Sequence, residues 1–382
     1  MGHLVRFRDL AVRLTEAGHR VVFAVRDVAR AGKVYADIAA EILPAACKVG
    51  FPDCRIEPTA TYAQLLHDCG YEHPSELTAL LKAWKSLYAY VVPDLVILDH
   101  SPTALLALRG TSIKRVLTGT GFVNPPDVYP LPVLQPGIYT EEHIRNHEDG
   151  VLRVINESLA AIAAPPIERI GQPFSEVDEI LLATFRELDH YENREGRPYW
   201  GITPYCGGAK PNWPRSDRRK VFAYLKPSPQ IPALFDLLNK LELPTLVYVD
   251  GIDKSVQQRF GSRTLQFVER PLDLDLVSAD CYCAILNGTH STTAKMLLAG
   301  KPLLLMPLTL EQAVMANRLA KLGAAAVVTP DDEKSVYRQM ASLLNEDSYA
   351  LAAASFAHIY KGFDARLNLQ RWTTRIMELL PA

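Results

Sequence analysis

Several things are scarce or missing in this 382-residue sequence, and each absence closes off a class of function. There is no Cys-x-x-Cys pair and no His-Glu-x-x-His, so the spacings that hold a structural zinc or a zinc hydrolase centre are missing. No apolar run approaches the ~20 residues that a membrane-spanning helix needs. Charge of one sign is not in excess: 41 Lys and Arg stand against 43 Asp and Glu, with a pI near 6.6. The basic residues are not gathered in blocks, so a nucleic-acid partner is not expected. The opening stretch 1–14 is amphipathic rather than signal-like. The six cysteines are Cys47, Cys54, Cys69, Cys206, Cys281 and Cys283. Cys281 and Cys283 flank Tyr282 in an apolar stretch and read as buried free thiols, which fits a reducing cytoplasm.

What is present is an ordinary globular composition, 48% hydrophobic and 22% charged, in a chain long enough for two domains. Leu4, Phe7, Leu10, Ala11 and Leu14 recur at helical spacing over 3–17. Gly18 stops that helix, and residues 20–25 read as a buried parallel strand. The chain thus enters a strand–helix repeat at a helix, and the first strand, usually central in a doubly wound sheet, is missing from the pattern. Helices are expected over 60–69, 75–91 and 140–165. Strands are expected over 95–98, 114–118, 180–187 and 198–202. Residues 207–217, with two Gly and two Pro, read as a linker. The second half alternates more regularly. Strands are predicted at 221–225, 245–249, 264–268, 283–286, 302–306 and 325–328, with helices between them, and two closing helices lie at 350–360 and 364–380. This is the rhythm of a parallel sheet covered on both faces.

The stretch 281–318 carries the chemistry. Asn287 to Thr293 forms a polar turn where an apolar strand gives way to a helix. Small hydroxyl residues at a helix start leave N–H and O–H groups available, and the helix dipole adds positive potential, so the turn is a natural seat for a phosphate or diphosphate. Glu311 and Gln312 open the next helix and offer hydrogen bonds to a sugar. A second polar cluster, Asp99-His100-Ser101, ends the strand 95–98, at the carboxyl edge where parallel sheets place ligands.

These features resemble the GT-B glycosyltransferases, in particular the UDP-glycosyltransferase family and its bacterial macrolide- and antibiotic-type relatives. The family's donor motif runs H-G-G-x-G-T-x-x-E, then G-x-P-x-x-x-x-P, D-Q and N-A-x-R. Here it stands as Asn287-Gly288-Thr289-His290-Ser291-Thr292-Thr293-Ala294-Lys295, Gly300-Lys301-Pro302, Pro307, Glu311-Gln312 and Asn317-Arg318, without a gap. Gly2-His3, Gly18-His19 and Pro93 to Asp99 match motifs of the family's first domain.

The resemblance implies two Rossmann-like α/β domains facing across a cleft, with the C-terminal helix returning to the first. An acceptor domain would cover 1–206, a linker 207–217, a donor domain 218–360 and the final helix 361–382. It implies inverting sugar transfer from a UDP- or dTDP-sugar to a hydroxyl of a hydrophobic small molecule, with the nucleotide sugar as co-substrate and no other cofactor. His3 would be the base and Asp99 its orienting carboxylate. Asn287, Gly288, Thr289, Ser291, Thr292, Glu311, Gln312, Val268 and Arg270 would contact the donor. Trp84, Tyr88, Phe122, Tyr129 and Tyr139 would line the acceptor side, although Trp84 and Tyr88 read more readily as core. The resemblance implies no metal. A homodimer is compatible. Three departures carry weight. Asn287 replaces the diphosphate-binding His, Thr289 replaces a Gly, and Lys295 inverts the charge of the ribose-binding Glu. The alternative they favour is a catalytically degenerate GT-B-like protein that serves as partner or activator of another enzyme.

Overall fold

The computed structural model describes residues 2–50, 52–192, 194, 196, 198–204, 207–330, 332 and 334–381, and the side chain of His3 lies outside that description, as do Met1 and Cys206. The chain packs into two units. Unit 1 comprises Met1–Thr184, Tyr191–Thr203 and Ala365–Ala382, and unit 2 comprises Phe185–His190 and Pro204–Asp364.

Unit 1 runs α1 (Gly2–Glu16), β1 (Val21–Val25), α2 (Val28–Val34), β2 (Ala40–Pro44), α3 (Tyr62–Leu66), α4 (Pro74–Val91), β3 (Leu95–Asp99), α5 (Pro102–Ala107), β4 (Lys114–Gly119), α6 (Glu141–Ala160), α7 (Gln172–Ser175) and β5 (Glu179–Leu182). Every strand pair is parallel, but the strands form two separate sheets, β1-β2 and β3-β4-β5. The apolar spacing of α4 buries Leu77, Leu81 and Trp84 in the main core. Of the elements the periodicity did not reveal, α2 is capped by Asp27, whose carboxylate accepts the Arg30 N–H at 2.9 Å.

Unit 2 runs β6 (Val221–Leu225), α8 (Ile231–Lys240), β7 (Thr245–Val249), α9 (Lys254–Phe260), β8 (Leu265–Phe267), α10 (Leu274–Asp280), β9 (Cys283–Leu286), α11 (His290–Leu298), β10 (Leu303–Leu305), α12 (Leu310–Lys321), β11 (Ala325–Val327), α13 (Ser335–Asn345) and α14 (Asp347–Ile359). Its six strands form one parallel sheet in the order β11-β10-β9-β6-β7-β8. The central strands β6, β7 and β9 are buried on both faces, as their near-continuous apolar runs demand. The last helix, α15 (Ala365–Leu379), belongs to unit 1, where Leu369, Trp372 and Ile376 share a core with Leu10 and Leu14 of α1.

Three local expectations change. The strand expected over 180–187 ends at Leu182, because Phe185 turns into an aromatic cluster of unit 2 with Phe356, Tyr360 and Phe363. The strand expected over 198–202 reduces to one bridge between Tyr199 and Leu182. Residues 207–217, expected as a linker, lie in unit 2. There the Ala209 N–H donates to Pro271 O and the Asp273 N–H to Ala209 O, both at 2.9 Å. Gly208 sits at φ +130 and a Cβ there would fall 2.4 Å from the Asp273 nitrogen, so only glycine allows the approach.

In unit 1 a cavity of about 890 Å³ lies along β1 and β3, the two strands left facing the break in the sheet.

Candidate functional site

In the unit 2 sheet the strand order reverses between β6 and β9: the chain builds outward from β6 through β7 to β8, then returns to β9. Ligands of open parallel sheets sit beyond the carboxyl ends of the strands at such a point. The loops that leave β6 and β9 there are laced together by Asn287. Its Oδ1 accepts the Lys226 N–H at 2.6 Å, and its Nδ2 donates to Met306 O at 2.8 Å, tying the ends of β6, β9 and β10. Asn287 is only 3% exposed. A role in diphosphate binding would fall to its second amide hydrogen.

Gly288 turns the chain at φ +88, and a Cβ would stand 3.3 Å from the Gln312 carbonyl oxygen. Thr289 then opens α11 in an extended conformation with no side-chain cap. The first-turn N–H groups of His290, Ser291 and Thr292 have no intrahelical carbonyl to meet, and the dipole of α11 places positive potential beside them. Thr289 is exposed, Ser291 half-buried and Thr292 buried. Ser228 Oγ, in the loop after β6, is buried with no hydrogen-bond partner among the described residues. In the sequence, Lys226-Pro227-Ser228 stand where the resembling family carries Gly-Ser after its first donor-domain strand, and neither Lys226 nor Ser228 was counted among the site residues.

At the start of α12, Thr309 accepts the Gln312 N–H at 3.4 Å, and Gln312 Oε1 accepts the Leu308 N–H at 2.8 Å. The cap fixes Gln312 and leaves its amide NH₂ as the donor end. The carbonyl of Glu311 lies 3.2 Å from Nε2 of the buried His190, which anchors the helix start from 121 residues away and gave no sequence signal. Val268 and Arg270 follow β8 at the sheet edge; Val268 N–H donates to Val247 O at 2.9 Å, and Arg270 is exposed. Lys295 forms an ion pair with Asp275 of α10. This accounts locally for the inverted charge: the ammonium has a carboxylate of its own.

Unit 1 holds the other predicted residues. Asp99 ends β3, and its Oδ1 lies 3.8 Å from Nη1 of Arg6 in α1, with both side chains about one-tenth exposed. The expected partner, His3, lies three positions earlier in α1, and its side chain is outside the described residues. Arg6 is thus the cation the structure shows beside Asp99, and sequence reading missed it. Tyr35 donates to Leu4 O at 2.7 Å; burial, and then the charge of Asp99, push its phenol up. His100 is exposed, at φ +51.

Trp84 and Tyr88 are core residues, donating to Ala46 O at 2.8 Å and Ala104 O at 2.9 Å. Phe122 is buried, Tyr129 bonds Asp149 at 2.9 Å, and Tyr139 bonds Pro58 O at 2.9 Å while stacking on His143. On α6, burial and then the neighbouring His67 and His143 push His147 down to about 4. Burial pushes Glu148 up to about 6 while its carboxylate accepts the Leu131 N–H.

Among the described residues one group has metal-like geometry: Asp53, Glu72 and His73, with ligand atoms within 4.8 Å of one another. Glu72 already accepts the N–H groups of Asp53 and Cys54, at 2.9 and 3.0 Å, so the cluster closes a surface loop. No helix among these residues is long and apolar enough to cross a membrane.

No protein-family model matches the sequence, and no curated protein matches it either. Solved structures do. The glycotransferase of kitacinnamycin matches with a TM-score of 0.69 at 14% identity, covering 99% of this chain and 96% of that one. The spinosyn rhamnosyltransferase SpnG, complexed with spinosyn aglycone, matches at 0.65 and 17%, covering 98% and 96%. The glycosyltransferase VinC, in complex with dTDP, matches at 0.62 and 18%, covering 98% and 97%. Likeness over whole chains at such low identity shows a shared fold: the chain has the GT-B fold, with two Rossmann-like units and α15 in the first.

Proposed function

We propose that this protein is an inverting glycosyltransferase that moves a sugar from a UDP- or dTDP-sugar to a hydroxyl of a hydrophobic small molecule. The observation that carries the reading is the start of α11: a nine-residue helix without a side-chain cap, preceded by a glycine turn, at the switch point of the unit 2 sheet. A helix N-terminus stabilises the charge that builds on a departing diphosphate. Ser291 and Thr292 supply hydroxyls to it, with Asn287, Gly288 and Thr289 shaping the turn. Glu311 and Gln312 hold the sugar, and Val268 and Arg270 lie toward the base. His3 takes the proton of the acceptor hydroxyl, and Asp99, already beside Arg6, supplies the carboxylate of the acceptor unit. The fold is one that the solved enzymes above use for this class of reaction, which supports the reading without fixing the sugar or the acceptor.

A second reading, a GT-B protein that no longer transfers sugar and acts on a partner enzyme, is favoured by two bonds. Asn287 binds backbone through both ends of its amide, and Lys295 pairs with Asp275. Calorimetric titration with UDP, dTDP and GDP separates the two. The transferase reading requires that UDP or dTDP bind; binding of none of the three would sink it. Given binding, His3→Ala should abolish transfer and leave nucleotide affinity unchanged, and undiminished transfer would remove His3 from the mechanism.

A further inference from the structure

Between β2 and α3 the chain runs through residues 45–61 with no helix or strand among the described residues. A loop of that length in a packed unit needs anchors. They come from the segment that leads into α4. The Asp53 and Cys54 N–H groups donate to the two carboxylate oxygens of Glu72, at 2.9 and 3.0 Å. The Ile56 N–H donates to Asp68 at 3.3 Å, and Lys48 pairs with Glu76 at 2.6 Å. These bonds bring Asp53 of the loop against Glu72 and His73, just ahead of α4.

We propose that Asp53, Glu72 and His73 form a binding site for one zinc ion, which staples the loop 45–61 to the start of α4. The spacing of the donor atoms is the first reason. His73 Nε2 lies 3.4 Å from Asp53 Oδ2 and 3.9 Å from Glu72 Oε1, and the three ligand atoms fall within 4.8 Å of one another. Bonds of about 2.0–2.2 Å at a tetrahedral angle leave ligand atoms about 3.3–3.6 Å apart. The observed separations need only a small closure, which the exposed Asp53 side chain can supply by rotating.

Charge is the second reason. The Glu72 side chain is only 8% exposed, and among the described residues no lysine or arginine pairs with it or with Asp53. A buried carboxylate calls for a counter-charge or a metal, and the two backbone N–H groups give Glu72 hydrogen bonds but no net charge. They occupy one lone pair on each of its oxygens and leave the others open to a cation. His73 sits at the N-cap of α4 and makes no side-chain capping bond, so its imidazole is left to the two carboxylates. One imidazole with two carboxylates suits zinc, whereas magnesium takes oxygen ligands. The ion would have a structural part only, whether or not the protein transfers sugar.

The test is calorimetric titration of zinc chloride onto the full chain after treatment with a chelator. The chain should take up one zinc with a Kd of about 10 µM or tighter, and its melting temperature should rise as zinc is added. His73→Ala and Asp53→Asn should each weaken that uptake by about tenfold or more. Both positions are exposed, and melting without zinc reports that the variants fold. Cys54→Ser should bind zinc as the unaltered chain does, and magnesium should not raise the melting temperature. Three results would overturn the proposal. The first is no saturable uptake by the unaltered chain. The second is uptake that survives in His73→Ala but is lost in Cys54→Ser, which would place the ion on thiols. The third is a melting temperature that His73→Ala lowers equally with and without zinc, which would leave an ion pair alone.

Discussion

Unit 1 and unit 2 share a strand plan yet differ in the one place that matters most to a parallel sheet, its centre. In unit 2 the centre is β6, fully laddered on both sides, and the loop that leaves it is laced by Asn287 to the turn that opens α11. In unit 1 a cavity lies between β1 and β3, and Asp99, at the end of β3, has Arg6 of α1 beside it at 3.8 Å. A switch-point site needs its central strand for mechanical reasons: two loops keep a fixed spacing only if the strands that carry them are hydrogen-bonded through.

The largest test of this contrast is core truncation. Leu304→Ala, in the fully buried β10, should cost about 3 kcal/mol, the usual loss for a buried leucine. Val96→Ala, half-buried on β3 along the cavity, should cost about 1 kcal/mol or less, since its neighbourhood is already loosely filled. Urea unfolding midpoints read both, and equal losses would dissolve the distinction.

Next comes pH. A buried carboxyl that is pushed up, Glu148, and a half-buried imidazole that is pushed down, His147, both lie in unit 1. Glu148 is raised from 4.5 to about 6, so the stability its neutral form contributes is full below pH ~4.5 and lost as pH rises through ~6. The difference of about 1.5 units is worth about 2 kcal/mol. His147 is lowered to about 4, so its contribution is full above pH ~6.5 and lost as pH falls through ~4. The two slopes oppose each other between pH 4.5 and 6. Glu148→Gln should remove the loss above pH 5 and leave stability falling toward acid, which thermal melts across pH 4–7 would reveal. An unchanged profile would mean that unit 1 does not hold a buried carboxyl.

A charge at the seat should separate binding from folding. Ser291→Asp adds a negative charge to the first turn of α11, which favours the helix and opposes a diphosphate. dTDP or UDP affinity should fall about tenfold, near 1.4 kcal/mol, with no drop in melting temperature. The smallest effect belongs to Lys295→Ala. Lys295 and Asp275 form a surface pair, so stability should change by less than about 1 kcal/mol. If nucleotide affinity also holds, the inverted charge has no part in the site; a marked loss would return Lys295 to it.

The second half was legible because most of its strands are apolar runs buried on both faces and its connections are short. The predicted strands 221–225, 245–249 and 283–286 coincide with β6, β7 and β9. The first half was less so. Strand β2 is short and mostly half-buried, and helix α2 is short and mostly exposed, so their periodicity is weak. The strand expected through 187 stops at Leu182 because Phe185 finds aromatic partners some 170 residues away. In the turn 287–293, the residue types foretold the start of a helix. The closure of Asn287 onto Lys226 and Met306 was not foretold, since a side-chain amide shows no partner in sequence.

The sequence alone determined the alternation of strands and helices and the polar turn at the carboxyl end of β9. These depend on contacts close along the chain, where spacing and residue type decide. Only the tertiary structure decided that Arg6 meets Asp99, that His190 supports Glu311, and that Lys295 belongs to Asp275. Those contacts join residues far apart along the chain, which periodicity cannot show.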